Sequence, residues 1–363
     1  MGYSHLMSPM FHLAFIRYEC RERIIMSSAF PMGDLIVDGF IHGSGLRFHD
    51  LPIGIDLENS NFQIVILLPS IIHHPSLSAV TLSFISRAFR PPRMRIAILQ
   101  TSPSLGAVQQ NIARATSLLT NVPRESSLDL IILPELAFTG YNFQTPEQIR
   151  PFVETRMESP SREWAKHVAK DFACSVLVGL PTQENDARYN TATLVNSTGD
   201  IVHEYHKHHM FSTDYSWGCQ AGPGFTFTTL QIDGRKIRTT IGICMDLNPW
   251  EYIASQTAYE FANYILRNDI QLILIPMAWL YPEDLDRKCM KFSEATLTYW
   301  MKRLHPVVWD TRWRIVVCCN RTGEEEGAVY AGTSAVCRVG NGKVHLLKVM
   351  GREEGVITVD VAL

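Results

Sequence analysis

From residue 94 onward the chain alternates between short apolar runs and longer stretches of helical periodicity. Residues 94–100, Met-Arg-Ile-Ala-Ile-Leu-Gln, form a compact strand signal. Over 106–119, Val108, Ile112, Ala115 and Leu119 recur three to four positions apart and share one helical face. Residues 128–133 read as a buried strand, 162–172 as a polar periodic helix and 175–180 as a second buried strand. Half-exposed strands follow at 191–196 and 201–206, then a strand at 236–244 and a helix from about 250 to 267. A strand at 272–276, a helix near 292–304, a strand at 315–319 and two final strands complete the pattern. Helices alternating with apolar strands predict an α/β layered domain over 94–363, without internal repeat.

The first 93 residues have another texture. They hold seven arginines and no lysine, and their apolar residues keep no sustained period. The stretch closes on Arg90-Pro-Pro-Arg93, a breaker that reads as a boundary. Residues 1–93 are therefore expected to be a poorly ordered N-terminal extension, with Met94 as an alternative start of the functional protein. The N-terminus lacks the basic region and long apolar stretch of a secretory signal. The apolar run 62–72 has 11 residues and is broken by Pro69, whereas a membrane span needs about 20. No membrane association is expected.

Composition narrows the class. With 46% hydrophobic and 19% charged residues, the chain can bury a sizeable core, and a net charge of -3 argues against nucleic acid as a partner. Eight scattered cysteines form no CxxC pair, which reads as reduced, buried thiols in the cytoplasm. Cys318 and Cys319 sit in an apolar strand run and are expected in the core.

Three segments place a reactive side chain at the end of a buried strand: Ile132-Leu-Pro-Glu135, Tyr205-His-Lys207 and Ile241-Gly-Ile-Cys-Met-Asp246. Taken singly, each has an ordinary explanation: a glutamate in a turn, a solvated lysine, a cysteine used as a buried hydrophobe. Together they offer a carboxylate to deprotonate a thiol, an ammonium to stabilise anionic sulfur or oxygen, and a cysteine nucleophile.

Residues 94–363 resemble the nitrilase superfamily of carbon-nitrogen hydrolases. The resemblance rests on Leu133-Pro-Glu135 with Thr139-Gly-Tyr141, Tyr189-Asn-Thr-Ala192, Tyr205-His-Lys207, Gly242-Ile-Cys-Met-Asp246, Asn320-Arg-Thr-Gly323 and Gly332-Thr-Ser334, in that order. It implies an αββα sandwich with Glu135 as base, Lys207 as oxyanion stabiliser, Cys244 as nucleophile and the Met245 backbone N–H as a second oxyanion donor. No metal or organic cofactor is implied. The stretch Cys244-Met-Asp-Leu-Asn-Pro249 is most similar to the fungal protein N-terminal asparagine amidohydrolases. This implies a protein or peptide substrate with a free N-terminal Asn or Gln. The alternatives are an amidase or carbamoylase of small free amides, and an inactive, nitrilase-like binding protein.

One departure stands out. Many members carry a second glutamate between the lysine and the cysteine, and here none occurs between Glu204 and Glu251. Gln220 is the nearest chemical substitute, an amide without charge. For the substrate's ammonium, Asp246, Asp214 or the run Glu324, Glu325 and Glu326 are candidate partners; that run is otherwise expected to be a solvated loop. His203, His206, His208 and His209 cluster, but no compact Cys or Asp partner completes a tetrahedral set. They are expected to be a polar strand end beside the lysine, not a metal site.

Overall fold

The computed structural model describes residues 93–363, except 124, 125, 233, 283–285, 287 and 288, together with six short strands among the first 92 residues. The chain divides into two units, Met1–Arg90 and Pro91–Leu363. In the first, Ile25–Met26 pairs with Leu35–Ile36, Gly39–His42 with Gly45–Phe48 and Ile53–Asp56 with Gln63–Ile66, all antiparallel. The expectation of a poorly ordered extension otherwise falls on residues outside the described ones.

The second unit holds two six-stranded sheets. One is built from β1 (Arg93–Gln100), β2 (Leu130–Ile132), β3 (Ser175–Glu184), β4 (Ala187–Val195), β5 (Ile201–His206) and the last strand, β12 (Gly355–Ala362), in the order β5-β4-β3-β2-β1-β12. The other contains β6 (Phe227–Ile232), β7 (Arg235–Ile241), β8 (Leu272–Met277), β9 (Arg314–Asn320), β10 (Ala335–Gly340) and β11 (Lys343–Val349), in chain order. Each sheet has three parallel strands at its centre, β1-β2-β3 and β7-β8-β9, flanked by antiparallel ones.

Strand alternation sorts the side chains into layers. Met94, Ile96 and Ile98 join Leu130, Ile132 and Leu177 in a core shared with β7, β8 and β9. Their neighbours Ala97, Leu99, Ile131 and Val176 face the other way, onto helices α1 (Val108–Leu119) and α2 (Pro160–Phe172). Helices α3 (Glu260–Arg267) and α4 (Glu294–Arg303) cover the second sheet through Phe261, Ile265, Leu297 and Trp300. The result is the expected αββα sandwich. Cys319 lies between the sheets, its thiol directed at the carbonyls of Leu99 and Ile132; Cys318 is buried as well. Among the described residues, no helix is long and apolar enough to cross a membrane.

Two expectations need correction. The helix expected over 250–267 begins only at Glu260. Glu251, Tyr252 and Tyr259 have φ of 49°, 55° and 46°, which a right-handed helix cannot contain. Ser255 and Thr257 bond each other and the local backbone instead. Five strands rather than two follow β9, the first two of them the two-residue pair Glu324–Glu325 and Ala328–Val329, and β6 has no counterpart in the apolar pattern. As a sheet edge it buries only Leu230 and Ile232, too few for a strong signal.

Candidate active site

The central parallel strands of both sheets end at the same pole, where open α/β sheets collect their ligands. After β2, Leu133 and Pro134 carry the chain to Glu135, and Leu136 turns it with φ of 44°. This turn rests on β3 at Gly179, where an added Cβ would stand 2.5 Å from the Pro134 carbonyl and 2.8 Å from Glu135 Cα. Only glycine permits that approach. Glu135 is 1% exposed, so its carboxylate needs partners. Oε1 accepts from Lys207 Nζ at 2.6 Å and Asn190 Nδ2 at 2.7 Å; Oε2 accepts from the Ala278 N–H at 2.7 Å.

Lys207 directly follows β5. Its backbone N–H donates to the Asn190 carbonyl, extending the β4–β5 pairing, and its ammonium is fully buried. Nζ lies between two carboxylates, 2.6 Å from Glu135 and 2.7 Å from Asp214, with the Tyr141 hydroxyl at 3.5 Å. Asp214 is fixed by the N–H of Phe211, at the entry to the one-turn helix Ser212–Ser216, and by Asn190 Nδ2. The negative partner missing from the glutamate count is thus an aspartate seven residues after the lysine. Gln220 does not take that place: it is exposed, and its backbone N–H donates to Arg188. The amide in the network is Asn190, whose single NH2 group bridges Glu135 and Asp214.

Cys244 follows β7 through Gly242 and Ile243. It adopts φ of 44° and opens the 3-10 turn Cys244–Leu247, a strained strand-to-turn junction of the kind that presents nucleophiles. The first N–H groups of such a turn lack internal partners, and Met245 occupies that position beside the sulfur. The Ala278 N–H, which donates to Glu135 Oε2, also favours the anionic form of the Cys244 thiol. Asp246 has no capacity for a substrate ammonium. It accepts from the backbone of Ile243, His208 and His209 and from the Tyr205 hydroxyl at 2.7–3.2 Å, which fills a carboxylate's lone pairs. Its effect is to clamp the cysteine turn onto the end of β5.

Burial is the largest influence on all three ionisable groups. It pushes the Glu135 carboxyl up, with Lys207 opposing and Asp214 reinforcing the rise. Burial acts against the Lys207 charge, yet Asp214 and Glu135 outweigh it and hold the ammonium well above its ordinary value. For Cys244, burial and then the Glu135 charge keep the thiol well above its usual range, against the pull of Lys207. The resting site therefore holds a thiol, an ammonium and carboxylate charge.

The remaining motifs build the walls. Asn320 bonds Trp279, Gly332 and Ser334. Arg321 stacks on the Tyr330 ring at 3.9 Å and pairs with Glu325. Glu325 corrects the expectation of a solvated loop: it is 5% exposed and receives the N–H groups of Tyr141 and Asn142 and the Tyr330 hydroxyl. Gly140 makes room for this, since a Cβ there would come within 2.4 Å of the Glu325 carboxylate. Glu324 and Glu326 are exposed. The four histidines each have a separate protein partner: His203 has Thr226, His206 has Thr191, and His208 and His209 have the carbonyls of Gly222 and Asn248. Among the described residues, no group of His, Cys, Asp and Glu has a metal-binding arrangement.

Sequence reasoning brought Glu135, Lys207 and Cys244 forward. It passed over Asn190, although the Tyr189-Asn-Thr-Ala192 motif contains it, and could not find Ala278, which acts through its backbone. The arrangement can move a proton between sulfur and carboxylate while a fixed ammonium and an N–H offer positive poles to a developing oxyanion.

A family model described as carbon-nitrogen hydrolase matches residues 95–363. The protein N-terminal amidase of Schizosaccharomyces pombe is 32% identical over 284 residues, covering 73% of this chain and 98% of that protein. The protein N-terminal amidase of Saccharomyces cerevisiae is 33% identical over 214 residues, 54% of this chain and 47% of the relative, so the match spans about half of that protein. Among solved structures, an N-terminal amidase with an Asn-Glu-Ala peptide superposes with a TM-score of 0.69 at 22% identity, over 75% of this chain and 98% of that one.

Proposed function

Since the chain belongs to the carbon-nitrogen hydrolase family, we propose that it deamidates N-terminal Asn and Gln of proteins or peptides, giving Asp and Glu and releasing ammonia. The reading of the site rests on one observation above all: Lys207 is buried between Glu135 and Asp214, and the charges of Glu135 and Lys207 both act on the Cys244 thiol. The substrate class is supported by the likeness to the two yeast N-terminal amidases.

In this mechanism Glu135 takes the Cys244 proton as sulfur attacks the side-chain carbonyl. Lys207 and the Met245 N–H hold the oxyanion, at fixed positions that need no reorganisation during reaction. Ammonia leaves with the proton from Glu135, and a thioester remains. The same carboxylate then draws a proton from water, whose oxygen attacks the thioester; the acid product departs and sulfur regains its proton. Asp214 and Asn190 serve as positioning residues. The chemistry draws on these side chains without a metal or organic cofactor. The seven described cysteines are all unpaired, which supports a reducing, cytoplasmic setting.

Matched Asn-peptides with free and acetylated N-termini provide the test. The free peptide is expected to release ammonia and gain the mass of deamidation, and the acetylated one to fail. Gln-peptides should react too, since one methylene discriminates by only about 10- to 200-fold. Equal rates on both Asn-peptides, or activity confined to small free amides, removes the N-terminal reading. The pH profile gives a second prediction. Because burial raises Glu135 and the base must be ionised, kcat/KM should rise with pH through a midpoint above the ordinary carboxylate range. A midpoint at or below the value of a free glutamate argues against Glu135 as base.

A further inference from the structure

We propose that the Tyr141 hydroxyl is a further catalytic group, which donates to the developing oxyanion beside Lys207. The inference rests on the amide-hydrolysis reading above and adds a third donor to the Lys207 ammonium and the Met245 N–H.

Counting donors around Lys207 leads to it. An ammonium carries three N–H donors. Two are committed, to Glu135 at 2.6 Å and to Asp214 at 2.7 Å. The third has only the Tyr141 oxygen, at 3.5 Å, beyond the roughly 2.7–3.2 Å of a well-formed N–H···O bond. Among the described residues, that same loose contact is the shortest hydrogen-bond contact of the Tyr141 hydroxyl. Yet Tyr141 is 3% exposed, and a buried tyrosine hydroxyl usually has a close partner. Two buried donors thus stand side by side without a shared acceptor. A substrate oxygen about 2.8 Å from each would receive them along directions about 80° apart, a geometry that a carbonyl or alkoxide oxygen accepts.

The hydroxyl is held in place before substrate arrives. Its ring packs with Leu136, Phe143, Met210 and Tyr330, and its centroid lies 5.4 Å from Lys207 Nζ. The backbone N–H groups of Tyr141 and Asn142 donate to Glu325, which is paired with Arg321 and accepts the Tyr330 hydroxyl. The buried Glu325 therefore anchors the segment that carries the tyrosine. Burial, reinforced by the charges of Asp214 and Glu135, holds the hydroxyl well above its ordinary value, so it keeps its proton and acts as a donor. A packing role alone would be met by phenylalanine, which fills the same space without burying a polar group.

Tyr141→Phe removes the hydroxyl and keeps both the ring and the backbone bond to Glu325. On a free Asn-peptide, kcat is expected to fall about 100-fold, the scale of one lost oxyanion donor, while KM stays within about twofold. A second measurement separates catalysis from placement: the rate at which methyl methanethiosulfonate modifies Cys244, followed by mass spectrometry of the peptide that bears it. The Cys244 sulfur takes the methylthio group, methanesulfinate leaves and the thiol proton passes to Glu135, so no carbonyl oxyanion forms. This rate should match wild type in Tyr141→Phe and fall in Glu135→Gln, which lacks the base. The proposal is overturned if kcat stays within about twofold of wild type, or if modification slows in step with kcat, as a structural role predicts. A wild-type enzyme that hydrolyses no amide removes the reading of the site and this inference with it. If the wild type hydrolyses only small free amides, the N-terminal substrate alone is lost, and the same comparison on that amide decides the role of Tyr141.

Discussion

Cys244→Ser is expected to lower kcat for ammonia release by several orders of magnitude while leaving the fold and substrate binding intact. The substitution exchanges one atom in a position whose φ of 44° is set by the backbone, so the turn and its Asp246 clamp have no reason to move. What changes is acidity. The site already holds the thiol well above its ordinary value through burial and the Glu135 charge, and a serine hydroxyl starts several units higher still. A carboxylate can relieve a thiol of its proton during attack, but it is too weak a base for an alcohol without a stronger partner. Removing the nucleophile of a hydrolase costs on the order of 10⁶ in kcat in the best-measured case, so a loss of about 10³ or more is the minimum consistent with the assignment. Ammonia release from a free Asn-peptide gives the rate. Intact mass after rapid quenching should show an acyl-enzyme in the wild type and none in the variant. Turnover within tenfold of wild type would falsify the assignment of Cys244 as nucleophile.

The architecture was legible because its strands are buried on both faces. Runs such as Ile131-Ile-Leu133 and Leu272-Ile-Leu-Ile275 carry no polar position to disguise them, and both are fully covered. Edge elements such as β6 are half polar and left little trace. The same contrast holds at the site. Glu135, Lys207 and Cys244 end apolar strands, where a reactive side chain is conspicuous. Asp214 lies in an ordinary-looking polar stretch, Ser-Thr-Asp-Tyr-Ser. Only the fold of the chain after β5 brings it to 2.7 Å from Lys207. The sequence offers Asp214 only as a partner for a substrate ammonium, and counting glutamates does not assign it to Lys207, because the interaction requires a carboxylate at the right distance and an aspartate on a turn supplies one as well as a longer side chain does. Glu325 misled in the opposite sense. Its acidic neighbours suggest solvent, but Arg321 four residues earlier and the Tyr141 and Asn142 N–H groups draw that one side chain inside.

Lys207→Met should cost both turnover and stability, and the two losses should separate in a double mutant. The ammonium is fully buried between Glu135 at 2.6 Å and Asp214 at 2.7 Å. Without it, two buried carboxylates face each other with only Asn190 and backbone donors between them. Breaking a buried ion pair from one side typically costs about 3–5 kcal/mol, because the remaining charge is left uncompensated. Loss of an oxyanion donor costs roughly 100- to 1000-fold in kcat. The pH dependence follows from the sign of the shift. Burial already raises Glu135, Lys207 lowers it and Asp214 raises it, so removing the lysine drives the carboxyl further up. A carboxylate whose folded pKa exceeds its unfolded value binds more protons in the native state. Its favourable contribution is present below the ordinary carboxylate range and is lost as pH rises through the folded value. The variant should accordingly be closest to wild-type stability near pH 5 and fall increasingly behind by pH 8. Adding Asp214→Asn removes the repulsion, so the double variant Lys207→Met/Asp214→Asn should regain much of the stability while its kcat stays at the level of the single variant. Urea denaturation at the two pH values, with turnover measured in parallel, gives each quantity. Recovery of turnover along with stability would mean that Lys207 acts only as a structural counter-charge, and the oxyanion role would have to be given up.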